Sequence, residues 1–357
     1  MKRSIILTVT NRCNIQCIYC YEDFKNSKTM SLDVAKEILR KEIKENQGGK
    51  LEVDFHGGEP LLNFNLIKEL CDWSFAEDRG CKIRFLITTN GTLLTDGMKE
   101  WLLANKERVF VALSLDGTKA MHDMNRCNSF DCIDLDFFST NWPNQPVKMT
   151  VSKKTISNIA DGVIFIHNKG FKVIYNLATG VDWSLEMIED YRREVHKLVE
   201  YYINNPSVAR TINLSKKISS ILSKEKLFRS CGSGLRMSSY DTDGKAYPCH
   251  MFAENALSQE EWKKIAEANF TDDTLFEDEE CRDCAIYRIC PTCYGMNYKE
   301  RGKIGKRDKR LCEFHKIEIL AICKLTYNDL INKPTEELNI DDFMELKAVK
   351  YIQERLL

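Results

Sequence analysis

Three cysteines, Cys13, Cys17 and Cys20, are spaced C-x3-C-x2-C directly after the apolar run Ile5-Ile6-Leu7-Thr8-Val9. Three thiolates can hold three corners of a four-iron cluster, which ordinarily takes four cysteines, so one iron is left for a ligand that is not a protein side chain. A structural zinc site instead wants four protein ligands and a closed shell. Free cysteine is commonly buried as a small hydrophobe. Three in eight residues, set among Asn11, Arg12, Asn14 and Gln16, make that bland reading poor.

The length of 357 residues suits one large domain and a smaller one. Apolar content of 43% and charged content of 29% are those of a soluble globular chain. A net charge of −1 gives no electrostatic footprint for nucleic acid. No apolar run reaches the length of a membrane span. The first residues read as a strand leading into the cysteine motif rather than as a signal peptide. Fifteen cysteines without an export signal argue against a disulfide framework and for metal in a reducing cytoplasm.

Six β-rich apolar runs precede residue 180, at about 3–9, 51–55, 83–88, 108–115, 147–152 and 172–178. Ser31 caps a helix through Val34, Ile38, Leu39 and Ile43 that Gly48-Gly49 ends. Further helical patterns lie near 63–79, 95–105 and 155–168. Six β/α units predict an α/β fold, a partial (β/α)6 TIM-like barrel over 1–182. Polar motifs follow four successive strands: the cysteine triple, His56-Gly57-Gly58-Glu59-Pro60, Thr88-Thr89-Asn90-Gly91 and Ser114-Leu115-Asp116-Gly117. Each alone is no more than a turn. Together they mark the C-terminal face of a parallel barrel, where active sites lie.

This combination resembles the radical S-adenosylmethionine (SAM) enzymes. The resemblance implies that the open iron chelates SAM and that an electron from the cluster cleaves it to methionine and a 5′-deoxyadenosyl radical, which takes a hydrogen from substrate. On that reading Gly57 and Gly58 let backbone approach the ligand closely, and Glu59 accepts charge-assisted bonds from the SAM ammonium. Ser114 contacts the ribose and Arg126 pairs with the SAM carboxylate, a surface arginine being the alternative for the latter. Asn90 touches SAM or only terminates its strand, and Tyr19 packs beside the adenine or in the core.

Residues 183–228 read as a connecting helical segment, broken at Asn204-Asn205-Pro206. Asn176 and Thr179 are candidates for the substrate pocket. Seven more cysteines follow: Cys231, Cys249, Cys281, Cys284, Cys290, Cys293 and Cys312. Asp243-Gly244 looks like a hairpin turn leading to a short strand that ends at Cys249. Tetrahedral thiolate sites suit zinc as well as iron–sulfur clusters, but seven thiols are too many for one zinc and one short of two four-cysteine sites. The spacing resembles the SPASM extension of peptide-modifying radical SAM enzymes, over 229–320 with a helical tail at 321–357. That resemblance implies two auxiliary four-iron clusters, hence three [4Fe-4S] clusters in all. Cys281, Cys284, Cys290 and Cys312 would close one, and Cys231, Cys249 and Cys293 would hold the other, with an open iron. Cys290-Pro291-Thr292-Cys293 has two intervening residues where three are usual. Between Cys293 and Cys312, residues 299–310 carry seven bases against two acids and read as a solvated loop. Cys71, Cys81, Cys127, Cys132 and Cys323 are assigned no chemistry.

The resemblance leads to a peptide maturase that installs cysteine-derived thioether cross-links in a ribosomally made precursor. The alternative is an anaerobic sulfatase-maturating enzyme that forms formylglycine. Those enzymes place an Asp where this chain has His250, and a further ligand where it has Met237. His250 is a candidate base, with an unperturbed pKa near 6.5. A non-catalytic iron–sulfur electron carrier or a zinc-stabilised binding module explains the thiols but not the glycine motif. The partners implied are the precursor peptide, a flavodoxin or ferredoxin as electron donor and, because only twelve residues precede Cys13, a separate leader-binding protein.

Overall fold

The computed structural model describes residues 2–76, 80–223, 229 and 231–356. Residues 77–79 of the helix expected at 63–79 and residues 224–228 of the connecting segment lie outside them. The first strand, β1 (Lys2–Thr10), is followed by α1 (Leu32–Glu45), whose N-terminus is capped by Ser31 Oγ accepting from Val34 N. Alternation then continues through β2 (Lys50–Gly57), α2 (Phe64–Phe75), β3 (Lys82–Thr89), α3 (Asp96–Ala104) and β4 (Val109–Leu113). Between β4 and β5 (Val147–Val151) stand two short helices the sequence reading did not anticipate, α4 (Lys119–Asn125) and α5 (Leu135–Asn141). Each is capped by a local side chain, Thr118 and Asp134 respectively. At seven residues apiece, neither shows a long apolar period. The series closes with α6 (Ile159–Asn168), β6 (Val173–Leu177) and α7 (Leu185–Asn204).

All six strands expected before residue 180 are present and their pairings are parallel. Strands β1 to β4 form one hydrogen-bonded run in sequence order, and β5 pairs with β6. The two runs meet through a single bridge, Ser114 to Lys148. Side chains alternate across each strand. On β2, Leu51, Val53 and Phe55 are buried against the helices, whereas Glu52, Asp54 and His56 are half-buried on the opposite, inner face.

Two expectations about the rest of the chain are corrected. Helix α7, read as part of a linker beginning at 183, packs on α6, and its Tyr191, Val195, Leu198 and Val199 belong to the barrel core. It is the helix of the sixth β/α unit. Beyond Asn204 the described part of the segment holds only short 3-10 turns, at 212–214 and 219–222, because Pro206 and the polar run beside it cannot extend a helix. The boundary expected at 320/321 falls inside α10 (Cys312–Ile331), which runs unbroken from the last clustered cysteine back onto α7 and the barrel core.

The cysteine-rich region begins with β7 (Met237–Tyr240), which adds in parallel to the free edge of β1, Ser4 facing Met237 and Leu7 facing Tyr240. The hairpin anticipated at Asp243-Gly244 joins β7 to β8 (Ala246–Tyr247) and delivers Cys249 just beyond it. A small second core, including Tyr247, Phe252, Phe270, Phe276 and Tyr298, holds α8 (Gln259–Ile265) and α9 (Tyr294–Arg301). The chain ends in α11 (Ile340–Leu356), packed on α10. Among the described residues, no helix is long and apolar enough to cross a membrane.

Candidate active site

The four polar motifs converge on the loop that carries Cys13, Cys17 and Cys20. Gly58 N donates to Thr10 O at 3.0 Å and Glu59 N to Arg12 O at 2.8 Å, which docks the glycine motif on the start of that loop. A Cβ on Gly57, at φ +136°, would lie 2.0 Å from Thr10 O, and one on Gly58 would lie 2.2 Å from Arg12 O. The two glycines are therefore required for approach to the cysteine loop itself, a partner the sequence reading had given to the ligand.

Glu59 is almost wholly buried, and its carboxylate accepts from Leu61 N at 3.0 Å, Thr89 Oγ1 at 2.7 Å and Asn90 N at 2.8 Å. Three protein donors thus hold the carboxylate in place beside the cysteine loop. Asn90 goes on to donate from Nδ2 to Asn14 Oδ1 at 2.9 Å, and Asn14 donates in turn to Thr92 Oγ1 at 2.8 Å. Ser114 is half-buried where β4 meets β5.

Arg126 is no surface arginine. It is buried, with Nε 3.0 Å from Asp116 Oδ2 and Nη2 donating to Asp116 Oδ1 at 3.2 Å. Its Nη1 stands 3.9 Å from Cys17 Sγ, and its guanidinium lies over the Tyr19 ring. The SAM-carboxylate role expected of it thus meets a cation already paired. Asp116, fully buried, also accepts from Tyr19 OH at 2.5 Å, Asn125 Nδ2 at 3.1 Å and Thr150 N at 2.8 Å. Asp116 stands in the Ser114-Leu115-Asp116-Gly117 motif but was given no role of its own; only Gly117 and Thr118 separate it from α4. Cys127, at φ +55°, donates to Gln16 O at 2.8 Å and so fastens α4 to the cysteine loop.

On the inner face of the barrel Lys148 Nζ donates to Thr88 Oγ1 at 2.8 Å. Burial raises the Asp54 carboxyl to about 6 against the opposing pull of Lys148. His250, the residue directly after Cys249, stacks on His56 with ring centroids 4.7 Å apart. Burial lowers His250 to about 4, helped by Lys148, and lowers His56 as well. His250 is thus neutral at pH 7 and a weaker base than an ordinary histidine. Asp54 Oδ1, His56 Nδ1 and His250 Nδ1 are buried polar atoms without a partner among the described residues, as a lumen shaped for a polar ligand requires.

Tyr21, which no motif flagged, lies between two thiol groups. Its hydroxyl sits 3.4 Å from His56 Nε2, its ring meets His250, and Cys20, Cys249 and Cys293 all add to the rise in its pKa that burial causes. A cavity of about 410 Å³ opens here, lined by Tyr19, Cys20, Tyr21, Lys153, Thr179 and Lys299 among others. Of the two pocket candidates on β6 and the loop after it, Thr179 lines this cavity and, with Asn176, a neighbouring one beside Cys281, Cys284, Cys290 and Cys312.

The ten clustered cysteines fall into three groups within electrostatic reach of one another. Cys17 feels Cys13 and Cys20; Cys249 feels Cys293 and Cys231; Cys312 feels Cys281 and Cys284, and Cys290 feels Cys312 and Cys284. Burial pushes Cys17 up to about 11, Cys249 to about 12 and Cys290 to about 11. Backbone amides of Gly295 and Met296, at the start of α9, donate to the Cys293 sulfur despite the shortened spacing before it. Among the described residues no three His, Cys, Asp or Glu groups close on one point as they would around a single ion. An iron–sulfur cube is wider than an ion, and thiol donors grouped in a three, a three and a four fit it chemically.

The sequence profile of the Radical SAM superfamily matches residues 7–195. A cysteine-type anaerobic sulfatase-maturating enzyme of Clostridium novyi is 24% identical, over 90% of this chain and 96% of its own. The radical SAM cyclopropyl synthase TigE of Paramaledivibacter caminithermalis is 25% identical, over 91% of this chain and 75% of its own. Native anSMEcpe, solved with bound AdoMet and Cp18Cys peptide, superimposes with a TM-score of 0.73 at 20% identity, covering 93% of this chain and 98% of that one. With its partial barrel, its converging motifs and a cysteine-rich C-terminal region that fits a SPASM domain, this chain belongs to the radical SAM superfamily.

Proposed function

We propose that the chain is a cytoplasmic peptide maturase that joins a cysteine sulfur of a precursor peptide to a carbon of another residue. Cys13, Cys17 and Cys20 would hold the cluster that binds SAM, and Cys231, Cys249 and Cys293 with Cys281, Cys284, Cys290 and Cys312 would hold two auxiliary clusters. SAM bound at the first cluster supplies a radical able to abstract hydrogen from carbon. Joining C–H to S–H removes two hydrogens, one as an atom and one as a proton with an electron.

The observation that carries this reading is the inner set. Cys231, Cys249 and Cys293 stand together, no fourth cysteine joins them among the described residues, and Tyr21 connects them to Cys20. A coordination position free of protein ligands suits a substrate thiolate, whose pKa a metal lowers. His250, neutral and lodged between Tyr21 and His56 with Nδ1 free of a partner among the described residues, would accept a hydrogen bond from the substrate thiol. Peptide substrates are supported by the Cp18Cys peptide bound to anSMEcpe. A flavodoxin or ferredoxin as electron donor and a separate leader-binding protein complete the proposal.

Adding a cysteine-containing precursor without SAM should perturb an auxiliary-cluster spectrum, and its Cys→Ser version should perturb it far less. Turnover should then leave that cysteine resistant to alkylation, with fragmentation showing a sulfur bridge. Formylglycine formation is the second reading, favoured by the near-full-length match to the Clostridium novyi enzyme. An aldehyde-reactive product would establish it in place of the thioether.

A further inference from the structure

The bases at 299–310, expected to form a solvated loop, are taken up by the fold. Lys309 Nζ stands 2.7 Å from Cys281 Sγ, and Arg301 pairs with Glu300 at 2.8 Å and with Asp308 at 3.3 Å. Lys299, which opens the stretch, donates to Tyr21 O at 3.0 Å and pairs with Asp23 at 2.7 Å. Uncommitted positive charge near the active site lies instead across the cavity onto which Tyr21 opens.

That cavity, of about 410 Å³, is lined by Cys20 and Tyr21 of the cysteine loop, by Lys299 and Glu300 of α9, and by Lys153 and Lys154 of the turn after β5. The turn is fixed by its own polar groups. Ser152 N donates to Thr155 Oγ1 at 3.0 Å, Lys154 N to Ser152 Oγ at 3.1 Å, and Ser152 Oγ to Asn125 Oδ1 at 2.7 Å. Asn125 donates in turn to Asp116 Oδ2, so the turn and Tyr19 are held by one buried carboxylate. The two lysines are exposed, and their side chains make no hydrogen bond or ion pair among the described residues. Both acids on the lining are already paired, Asp23 with Lys299 and Glu300 with Arg301 and Arg310. The surplus charge on the cavity wall is therefore that of Lys153 and Lys154. Ile18, 53% exposed, and Val181 give the same cavity an apolar face, which a peptide side chain covers and an inorganic anion does not.

We propose that Lys153 and Lys154 are specificity-determining residues that pair with Asp or Glu side chains of the precursor peptide, next to the cysteine presented to the site. This rests on the reading that the site modifies a peptide. Complementary charge at the rim of a binding site supplies discrimination between partners more than raw affinity. Exposed ion pairs are individually weak, so two together give about a fivefold preference.

The test uses the full chain, reconstituted anaerobically with SAM and without reductant, and labelled synthetic peptides with the cores Asp-Gly-Cys-Gly-Asp, Asn-Gly-Cys-Gly-Asn and Lys-Gly-Cys-Gly-Lys. Fluorescence anisotropy reads affinity, and the auxiliary-cluster absorption reads thiolate binding. The parent should bind the Asp peptide about fivefold tighter than the Asn peptide, with the ratio shrinking at high salt. K153M/K154M should bring the ratio to about one, and K153E/K154E should reverse the preference towards the Lys peptide. Equal affinities in the parent, or an unchanged ratio in either variant, would overturn the proposal. An unchanged ratio together with slower reduction of K153M/K154M by an acidic flavodoxin would overturn it in favour of electron-donor docking. A parent that binds none of the peptides would overturn the peptide reading beneath it. Asp preference without a change in cluster absorption would overturn the thiolate step of that reading and leave the specificity in place.

Discussion

Arg126 and Asp116 form a buried ion pair, Nε to Oδ2 3.0 Å, with the far side of the guanidinium 3.9 Å from Cys17 Sγ. The pair joins the end of α4 to the loop after β4, and through Tyr19 and Cys17 it positions the cysteine loop. Asp116 keeps three further donors if the arginine is removed, whereas among the described residues Arg126 makes its ion pair with Asp116. Breaking a buried pair from one side costs about 3–5 kcal/mol. Asp116→Ala should therefore lose about that much stability, and Arg126→Met distinctly less. Urea unfolding of the two variants checks the order; equal losses would mean that the network around Asp116 is not what holds the loop.

Glu59→Gln exchanges an acceptor for an NH2 group in a site where three donors converge. One buried donor is left facing another, at a cost of about 1–3 kcal/mol. Stability and SAM affinity should fall together, because the glycine motif and Asn90 both lean on that carboxylate. Unfolding curves and equilibrium dialysis with SAM read the two effects. Lost affinity at unchanged stability would return Glu59 to direct contact with SAM.

Much of this architecture was legible in the chain. Six β-rich runs, the Ser31 cap and the motif at the end of each of the first four strands are local signals, and the structure contains them. The barrel edge formed by β7 was not legible, since Met237–Tyr240 pairs with a strand more than two hundred residues earlier and has no pattern of its own. The pairings of Arg126, Glu59 and Lys309 were not legible for the same reason. Charge in a sequence says what a residue can pair with, and only the fold decides whether Asp116, Thr89 or Cys281 gets there first. The missed pairing of His56 with His250 likewise joins β2 to a residue contributed by the far end of the chain.

Ten grouped cysteines should give roughly twelve irons per chain after anaerobic reconstitution. Replacing Cys13, Cys17 and Cys20 by Ala should leave about two-thirds of that iron and abolish SAM cleavage. Because burial raises Cys17, Cys249 and Cys290, these thiols carry protons at neutral pH until a cluster displaces them. Loading should accordingly release protons and weaken as pH falls. Iron analysis and proton-release titration test both points, and zinc in place of iron would refute the assignment.

His250 gives a pH dependence of definite sign. Its folded-state pKa is about 4, against 6.5 for an ordinary histidine, because burial beside Lys148 disfavours the charged ring. Between those values the unfolded chain binds a proton that the folded chain does not, so stability is full above pH 6.5 and is lost as pH falls towards 4. From pH 7.5 to 5.5 the loss from this one group is about 1–2 kcal/mol. His250→Gln cannot titrate there, and it also relieves the lowering that His250 imposes on His56. Thermal unfolding of the anaerobic holoprotein at pH 7.5 and 5.5 should therefore show a larger drop for the parent than for His250→Gln. Equal drops would mean that position 250 takes a proton freely in the folded protein, and that the ring is not held neutral between Tyr21 and His56.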